Sequence, residues 1–439
     1  MTAYYLKLAW LSIRKNPLLT SLMIGAIALG IGVSMTTLTL YHVMSSDPLP
    51  QKSDRVFAVQ LDTWNPDDPY YERDEGSAPP PQTTFRDSTA LMESDIPTHQ
   101  AVMLHRGFAA RLDEDGARPE RLSTRATYGD FFPMFDVPFL FGSGWDRNAD
   151  DRAERVVVLS KRINDKFFGG KDSVGERLML DGAPFTVVGV IDEWRPIPHF
   201  YDLNGGDFDD SEELFVPFQV PISLEYHADG STNCWKPERI ESYQDFLQSE
   251  CVWLQHWVQL DTDAQREEFQ AFIDAYALEQ RKLGRFGRPL DNRLSDIMTW
   301  LEFREVVSDD NRLLMVLAFM FLAICLLNTI GLMLAKFINR APLVGVRRAL
   351  GASRFDIIRQ HGVEVLIIGV IGGLAGLALS WVGLIAVRSW YQGYEYLAHL
   401  NPAMVASAIG LAVFSAALAG LYPTWRISRI QPAVHLKAQ

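Results

Sequence analysis

The chain has 439 residues, of which 48% are hydrophobic and 22% are charged, so its average composition resembles that of a soluble protein. The charge is distributed unevenly, because residues 45–310 hold 51 acidic and 27 basic residues whereas the rest of the chain holds three acids and 14 bases. An acidic polar region between two basic apolar regions excludes a plain soluble enzyme, a nucleic-acid binder built on a basic face, and a disordered or collagen-like chain.

Four uncharged apolar runs are long enough to cross a membrane, which takes about 20 residues. They are Leu18–Leu40, Leu313–Ala335, Val365–Val387 and Pro402–Tyr422. A single run of this kind could be a buried core helix, but four of them favour transmembrane helices. The first run is interpreted as a retained signal anchor, because it is longer than the apolar core of a cleavable signal peptide.

The Lys and Arg residues beside these runs predict their orientation, because cytoplasmic loops carry an excess of positive charge. Basic residues cluster before the first run, between the second and the third, and after the fourth. Both termini and the 339–361 segment are therefore expected in the cytoplasm. The acidic region and a short hairpin at 389–401 are expected on the other side.

These features predict a membrane α-helical protein with four transmembrane helices in a 1+3 arrangement and a large α+β domain between helices 1 and 2. The expected division is an N-terminal amphipathic segment at 1–17, transmembrane helices at 18–44, 311–338, 362–388 and 402–423, the outer domain at 45–310, a cytoplasmic loop at 339–361, an outer hairpin at 389–401 and a cytoplasmic tail at 424–439.

The acidic region carries signals for strands and for helices. The β-branched run Ala183–Val190 predicts a strand. Leu214–Phe218 is also predicted to be a strand, and Pro217 indicates that it lies at the edge of a sheet. Thr262 followed by Gln265 fits a capping box, which predicts that a helix begins there.

Two cysteines of the acidic region, Cys234 and Cys251, are disulfide candidates in an oxidising compartment. No Cys-x-x-Cys or paired His accompanies either residue, so a metal site is not expected. The sequence also has no phosphate-binding loop and no hydrolase motif. We therefore expect no catalytic residue and no cofactor on this chain.

Small residues recur at four-residue spacing in two apolar runs, which lets helix backbones approach closely in lipid. The pairs are Ala26/Gly30 and Ala28/Gly32 in the first run, and Gly369/Gly373 and Gly372/Gly376 in the third. Such pairs serve either packing within one subunit or a seam between two subunits, and the sequence leaves both open.

Glu364 is the acid closest to an apolar run. We interpret it as an interfacial residue that caps a helix or pairs with Arg359 or Arg348. Because charges within the runs are nearly absent, a proton relay or ion-coupled pathway lacks its usual parts.

The 339–361 segment combines an apolar face with basic residues and predicts two short helices. The first runs to Leu350 and ends at Gly351, and the second begins at Ser353, with Asp356 completing a cap. The apolar face consists of Leu343, Val344, Val346, Leu350, Phe355, Ile357 and Ile358. The flanking bases are Arg340, Arg347, Arg348, Arg354 and Arg359. An apolar knob surrounded by bases is suited to docking in a cleft of a cytoplasmic partner.

Within this segment, Val344-Gly-Val-Arg-Arg-Ala-Leu-Gly-Ala-Ser353 resembles the signature of the MacB/FtsX family of ABC-transporter permeases. The tail from Gly420 to Val434 resembles the closing motif of that family. In the acidic region, Tyr128–Phe135 and Phe185–Val190 resemble landmarks of the family's periplasmic core domain. The resemblance therefore covers most of the chain.

The resemblance implies a mechanotransmission permease in the bacterial inner membrane that binds a dimer of cytoplasmic ABC ATPases. Because the chain starts 17 residues before the first run, the ATPase, with its ATP and Mg²⁺, is expected on a separate subunit. A second permease, identical or paralogous, is implied, with a periplasmic adaptor and an outer-membrane channel as further candidate partners. Membrane lipids are expected around the helices, and no nucleic acid is expected among the partners.

The resemblance also assigns roles in the 339–361 segment. Val346, Leu350 and Phe355 would form the docking face, and Arg347, Arg348 and Arg354 its electrostatic rim, around the turn at Gly351 and Ser353. ATP-driven closure of the ATPases would shift the helices and move the periplasmic domains.

The leading interpretation is export of a periplasmic cargo such as a peptide, antibiotic or siderophore. A lipoprotein-release permease of the same family and a membrane receptor or scaffold without a transport role remain alternatives. A cell-division regulator of the FtsX type usually has a much smaller outer domain.

Overall fold

The structure, a computed structural model, describes residues 2–73, 76–114, 117–307, 309–390 and 402–429. It divides into a helical unit, Met1–Ser45 with Val307–Gln439, and an α/β unit, Ser46–Val306. Nearly all of the hairpin expected at 389–401, and the closing motif beyond Arg429, lie outside the described residues.

The chain begins with helices α1 (Thr2–Lys15) and α2 (Pro17–Met44) of the helical unit. The α/β unit contains strands β1 (Val56–Gln60), β2 (Tyr71–Arg73), β3 (Gly76–Ala78), β4 (His99–Leu112), β5 (Glu120–Thr127), β6 (Phe139–Gly142), β7 (Val156–Ser160), β8 (Arg177–Leu180), β9 (Ala183–Ile191), β10 (Leu214–Pro217), β11 (Gln255–Gln259) and β12 (Arg293–Asp296). Its helices are α3 (Phe85–Leu91), α4 (Phe131–Met134), α5 (Arg147–Asp151), α6 (Lys161–Phe168), α7 (Gln219–Ser223), α8 (Tyr243–Leu247), α9 (Asp263–Lys282) and α10 (Ile297–Phe303). The helical unit resumes with α11 (Asp309–Ile338), α12 (Ala341–Ala349), α13 (Arg354–Trp390) and α14 (Pro402–Ser428).

Within the described residues, three helices are long and apolar enough to cross a membrane: α2, α11 and α13. The fourth predicted span falls on α14, and its crossing remains a prediction. Helix α2 packs against α11 and α13, and both of these also pack against α14. Apolar side chains such as Met23, Ile27 and Ile31 of α2 are buried among these helices, so α2 lies at the centre of the packed unit.

The described part of the α/β unit is built on one large mixed sheet, and β2 and β3 pair in a separate two-stranded sheet. The strands of the large sheet, within the described residues, follow the order β12-β1-β11-β4-β5-β10-β7-β9-β6, and β8 pairs with β4 and β9. The pairs β5–β10 and β7–β9 are parallel, and the other pairs in this sheet are antiparallel. Helix α9 covers one part of the sheet, where Phe269 and Ile273 pack on Phe57 and Val258. A largely antiparallel sheet covered by helices places this unit in the predicted α+β class.

The prediction that β10 lies at a sheet edge is wrong. Strand β10 pairs with β5 on one side and with β7 on the other. A proline is tolerated there because the pairing with β7 covers only Leu214 and Phe215. Pro217, the last residue of the strand, therefore needs no N–H donor toward β7.

The predicted helix after Thr262 is present as α9, but its cap differs from the expected box. The Thr262 hydroxyl accepts from the Gln265 N–H at 3.2 Å. The Gln265 side chain accepts from the Asp261 N–H at 2.9 Å, one residue before the position that a capping box requires. The helix start is thus fixed by both side chains.

A buried charged cluster anchors β5 to the segment before β10. Arg125 Nη1 lies 2.6 Å from Asp202 Oδ2, and its guanidinium also pairs with Glu212. The Tyr201 hydroxyl donates to Glu212 at 2.6 Å. Burial is the largest single influence and raises the pKa of Glu212, but Arg125, His199 and Tyr201 together outweigh it and hold that pKa well below its usual range. Each charge is therefore paired, as burial requires.

Candidate functional site

Helix α12 and the turn after it form the centre of the 339–361 segment. Helix α12 ends at Ala349, and Gly351 follows with φ of +101°, a backbone conformation that favours glycine. The Ser353 hydroxyl then accepts from the Asp356 N–H at 3.2 Å, while the Asp356 carboxylate accepts from the Ser353 N–H at 3.1 Å. These reciprocal bonds start α13 and hold the turn in one shape.

The predicted docking face is exposed at its three assigned positions. Leu350 is 84% exposed, Phe355 69% and Val346 46%. The prediction of a wider apolar face is wrong for two residues. Val344 and Ile357 are buried in the core of the helical unit. Their helices turn those side chains inward, and the exposed knob is correspondingly smaller.

The predicted basic rim has a mixed environment. Arg354 is exposed, whereas Arg347 and Arg348 are half-buried, and Arg347 donates to the side chain of Gln360 on α13. Arg347 thus links α12 to α13 as well as contributing positive charge.

The second of the two predicted short helices does not end before the third apolar run. Helix α13 runs without interruption from Arg354 to Trp390. No proline occurs between these residues. Before the third apolar run the helix contains one glycine, Gly362, which costs too little to end a long helix. Phe355 therefore lies at the end of a continuous helix of 37 residues.

Behind the turn, an ion pair joins the helices of this unit. Lys336 Nζ of α11 lies 2.7 Å from Glu364 Oε1 of α13, and both side chains are buried. Lys336 also donates to the Thr20 hydroxyl of α2 at 3.1 Å. The Ser12 hydroxyl of α1 donates to Glu364, so four helices meet at this cluster.

Arg340 connects the cluster to α12. It precedes the first residue of that helix, and its guanidinium donates to the hydroxyl of Ser12 and, at 3.0 Å, to the Ser12 carbonyl. Its Nη1 lies 3.8 Å from Glu364 Oε2. The start of α12 is thereby held to α1 and α13.

The predicted pairing of Glu364 with Arg359 or Arg348 is therefore wrong. Lys336 directly follows the second apolar run and Glu364 directly precedes the third. Antiparallel neighbouring spans place two such positions at the same depth, which is the signal that sequence reasoning missed. Arg359 instead lies over the ring of Tyr5 on α1, 4.5 Å from its centroid.

Four of the six predicted packing glycines face another helix of the same chain. A Cβ atom on Gly32 would lie 2.9 Å from Leu379, and one on Gly376 would lie 2.9 Å from Ile31. Gly372 likewise faces Ile27 and Gly30 faces Leu322. Gly369 and Gly373 are also buried. Packing within the chain accounts for the four close contacts, and a role in a subunit seam stays a prediction.

In the α/β unit, the structure joins Cys234 and Cys251 in a disulfide. Asn233 and Val252 exchange two backbone hydrogen bonds beside it. Among the residues that the structure describes, no group of three or more His, Cys, Asp or Glu side chains is arranged to hold a metal ion.

Two family models match the chain. The MacB-like periplasmic core domain matches residues 20–276, and the FtsX-like permease C-terminal model matches residues 315–432. The second match includes α12, the turn and the whole of α13.

Curated relatives share low identity over much of the chain. The pyoverdine export ATP-binding/permease protein PvdT of Pseudomonas putida is 25% identical over 312 residues, which cover 70% of this chain and 42% of that protein. The macrolide export ATP-binding/permease protein MacB of Nitrosomonas europaea is 23% identical over 299 residues, which cover 68% of this chain and 40% of that protein. The chain thus spans less than half the length of these two relatives.

Among solved structures, the periplasmic region of MacB from Actinobacillus actinomycetemcomitans matches with a TM-score of 0.36 and 12% identity, over 58% of this chain and 95% of that one. The two family models together cover most of the sequence, including the apolar helices and the acidic region. The chain therefore belongs to the MacB/FtsX family of ABC-transporter permeases and is a membrane protein with a MacB-like periplasmic core domain.

Proposed function

We propose that this chain couples ATP hydrolysis by a cytoplasmic ABC ATPase to conformational change of its periplasmic domain, and thereby drives export of periplasmic cargo. The observation that carries the proposal is the exposed apolar knob of Val346, Leu350 and Phe355 on a turn fixed by hydrogen bonds. Exposed apolar side chains that cluster beside basic ones are typical of a protein docking surface.

The docking step depends on the knob and its charge. Leu350 and Phe355 lie on either side of the Gly351 turn and are the two most exposed members of the knob. Burying both in a cleft would contribute about 1.5–3 kcal/mol for each side chain. Arg354 would meet acidic groups at the rim of that cleft and favour the correct orientation.

The transmission step depends on the continuity of α13 and on the ion cluster. A displacement at Phe355 acts on the end of a helix that continues through the membrane span to Trp390. Arg340, Lys336 and Glu364 hold α12, α11 and α13 together. Docking at the knob would therefore move these helices as one body rather than bend the 339–361 segment.

The remaining features of the assembly belong to the same proposal. They are four spans, cytoplasmic termini, ATP and Mg²⁺ bound by the ATPase partner, and a second permease that is identical or paralogous. The names of the relatives indicate export of pyoverdine and of macrolides by those proteins. A siderophore, antibiotic or peptide cargo, with an adaptor and an outer-membrane channel, is accordingly proposed here.

The first test is purification of the tagged full chain from its native membranes, followed by mass spectrometry and an ATPase assay. Recovery of an ABC ATPase with activity supports the proposal. Recovery of the chain alone, without ATPase activity in several mild detergents, contradicts it and favours a receptor or scaffold.

The second test targets the knob by the double substitution Leu350→Asp with Phe355→Asp. We expect loss of the ATPase from the purified complex, with normal insertion of the chain in the membrane. Leu283→Asp is the matched control, since Leu283 is also strongly exposed but lies after α9 in the other unit. Equal recovery of the ATPase with both variants would contradict the role of the knob.

A further inference from the structure

A cavity of about 590 Å³ lies within the α/β unit, where the start of β4 meets α4 and α5. Its size is that of a typical small-molecule site, which spans roughly 300–1,000 Å³. It is separate in sequence from the 339–361 segment, and the coupling proposal does not use it.

The walls of this cavity include a set of edge-to-face aromatic rings. The ring of Phe132 lies 5.1 Å from that of Trp145 and 5.2 Å from that of Phe139, measured between centroids. Phe132 and Trp145 are buried, so their orientation is set by packing. Such rings offer an apolar surface for a ligand and an electron-rich face for a cation.

The charges that line the cavity are predominantly negative. Four lining residues are aspartates and one is an arginine: Asp130, Asp136, Asp146, Asp150 and Arg147. Arg147 donates to the Met92 carbonyl at 3.0 Å, which occupies part of its hydrogen-bonding capacity. Asp136 is paired with Lys52 at 2.6 Å, and burial raises the pKa of Asp150 to about 7, so Asp130 and Asp146 supply most of the remaining negative charge. Two such carboxylates beside one arginine favour a positively charged ligand.

Gln100 provides an independent sign of a ligand. It lines the cavity and is only 4% exposed. Its Nε2 donates to the carbonyls of Met92 and Ser94, both at 2.9 Å, but its Oε1 is buried and has no hydrogen-bond partner in the described part of the chain. A buried acceptor without a donor is costly and calls for a partner.

The main-chain N–H of Gln100 donates to Asp130 Oδ2 at 3.2 Å, so the carboxylate and Gln100 are adjacent. Asp130 is half-exposed, and a carboxylate has about four acceptor sites. It can therefore accept from an ammonium group in addition to this bond.

From these contacts we infer that the cavity binds a small organic cation, with its ammonium group near Asp130 and Gln100 Oε1 and its apolar body on Phe132, Phe139 and Trp145. The negative lining selects the charge, and the aromatic wall selects the apolar body. The inference concerns the periplasmic domain alone and does not require that the chain couples to an ATPase.

The test is calorimetric titration of the full chain in lipid nanodiscs with 2-phenylethylammonium, with empty nanodiscs as the blank. We expect saturable binding to the chain and binding weaker by about tenfold or more for the neutral analogue 2-phenylethanol, since a hydrogen bond to a charged group is worth at least that factor. Equal binding of the two compounds, or no binding of the cation, would overturn the inference without any variant.

The variant Asp130→Asn should weaken binding of the cation by about tenfold and leave binding of the neutral analogue unchanged. Glu267→Gln, which removes one charge from the exposed face of α9, is the matched control and should bind as the unmodified chain does. If N-acetyl-lysine methylamide binds but 2-phenylethylammonium does not, the site instead receives a basic side chain of a partner protein, and the small-cation inference is wrong.

Discussion

The Nζ atom of Lys336 lies 2.7 Å from Oε1 of Glu364, and both side chains are almost completely buried. The two residues belong to different long helices, α11 and α13, and Ser12 and Thr20 add hydrogen bonds from α1 and α2. Charges removed from water are stable only when they are paired and hydrogen-bonded, so this pair constrains how the four helices can move relative to one another.

Removal of one member of the pair should destabilise the helical unit. Lys336→Met leaves Glu364 buried without its closest cation, which we expect to cost about 3–5 kcal/mol of stability. The thermal unfolding midpoint of the full chain in detergent would report the loss.

The double variant Lys336→Met with Glu364→Met tests the cause, because two apolar side chains leave no unpaired buried charge. It should be more stable than Lys336→Met alone. If the stability lost by the double variant equals the sum of the losses of Lys336→Met and Glu364→Met, the two residues do not interact.

The contact of α2 with α13 should tolerate no added side chain at Gly376. A Cβ atom there would lie 2.9 Å from two atoms of Ile31, so we expect Gly376→Ala to lower stability by about 1–3 kcal/mol. Gly331→Ala in α11 is the matched control, because an added Cβ there meets no described atom within 4 Å.

Since alanine favours a helix over glycine, Gly331→Ala should leave the unfolding midpoint unchanged or raise it slightly. If both variants lose the same stability, the close approach of α2 to Gly376 is not the reason that alanine is unfavourable there.

The outline of the chain could be predicted from the sequence because apolar runs and turn residues act locally. The turn at Gly351 and Ser353 and the start of α9 at Thr262 are examples. The ion pair of Lys336 and Glu364 could not be read in this way, because its members are 28 positions apart and their contact depends on how two helices pack. Sequence patterns also do not report which strands flank a given strand, so the position of β10 inside the sheet cannot be predicted from Pro217.

The disulfide between Cys234 and Cys251 should stabilise the α/β unit. It closes a loop with a sequence separation of 17, which corresponds to about 3 kcal/mol in the chain-entropy model. The variant Cys234→Ala with Cys251→Ala should therefore unfold at a lower temperature than the unmodified chain.

A reducing agent should lower the unfolding temperature of the unmodified chain toward that of this variant and leave the variant itself unchanged. Cys325→Ala controls for loss of a thiol, because Cys325 is free. If the reducing agent has the same effect on the variant as on the unmodified chain, the disulfide does not account for the stabilisation.

Asp150 should make stability fall as pH rises toward neutrality. Burial raises the pKa of this carboxyl to about 7. The N–H groups of Gly129 and Trp145 donate to the carboxylate and lower its pKa, but burial has the larger effect. Between its ordinary pKa of about 4 and this raised value, the folded chain holds a proton that the unfolded chain releases. Stability then decreases with pH across that window, by up to about 1.4 kcal/mol per pH unit.

Asp150→Asn removes this titration, so the unfolding midpoint of the variant, relative to the unmodified chain, should be higher at pH 8 than at pH 5. Asp151→Asn makes the same change of charge on the exposed neighbouring residue and is the matched control. The measurement is thermal unfolding of the full chain at both pH values. The midpoint of Asp150→Asn relative to the unmodified chain could instead change between pH 5 and pH 8 no more than that of Asp151→Asn. That result would show that Asp150 does not hold the proton, and that its two hydrogen-bond donors outweigh burial.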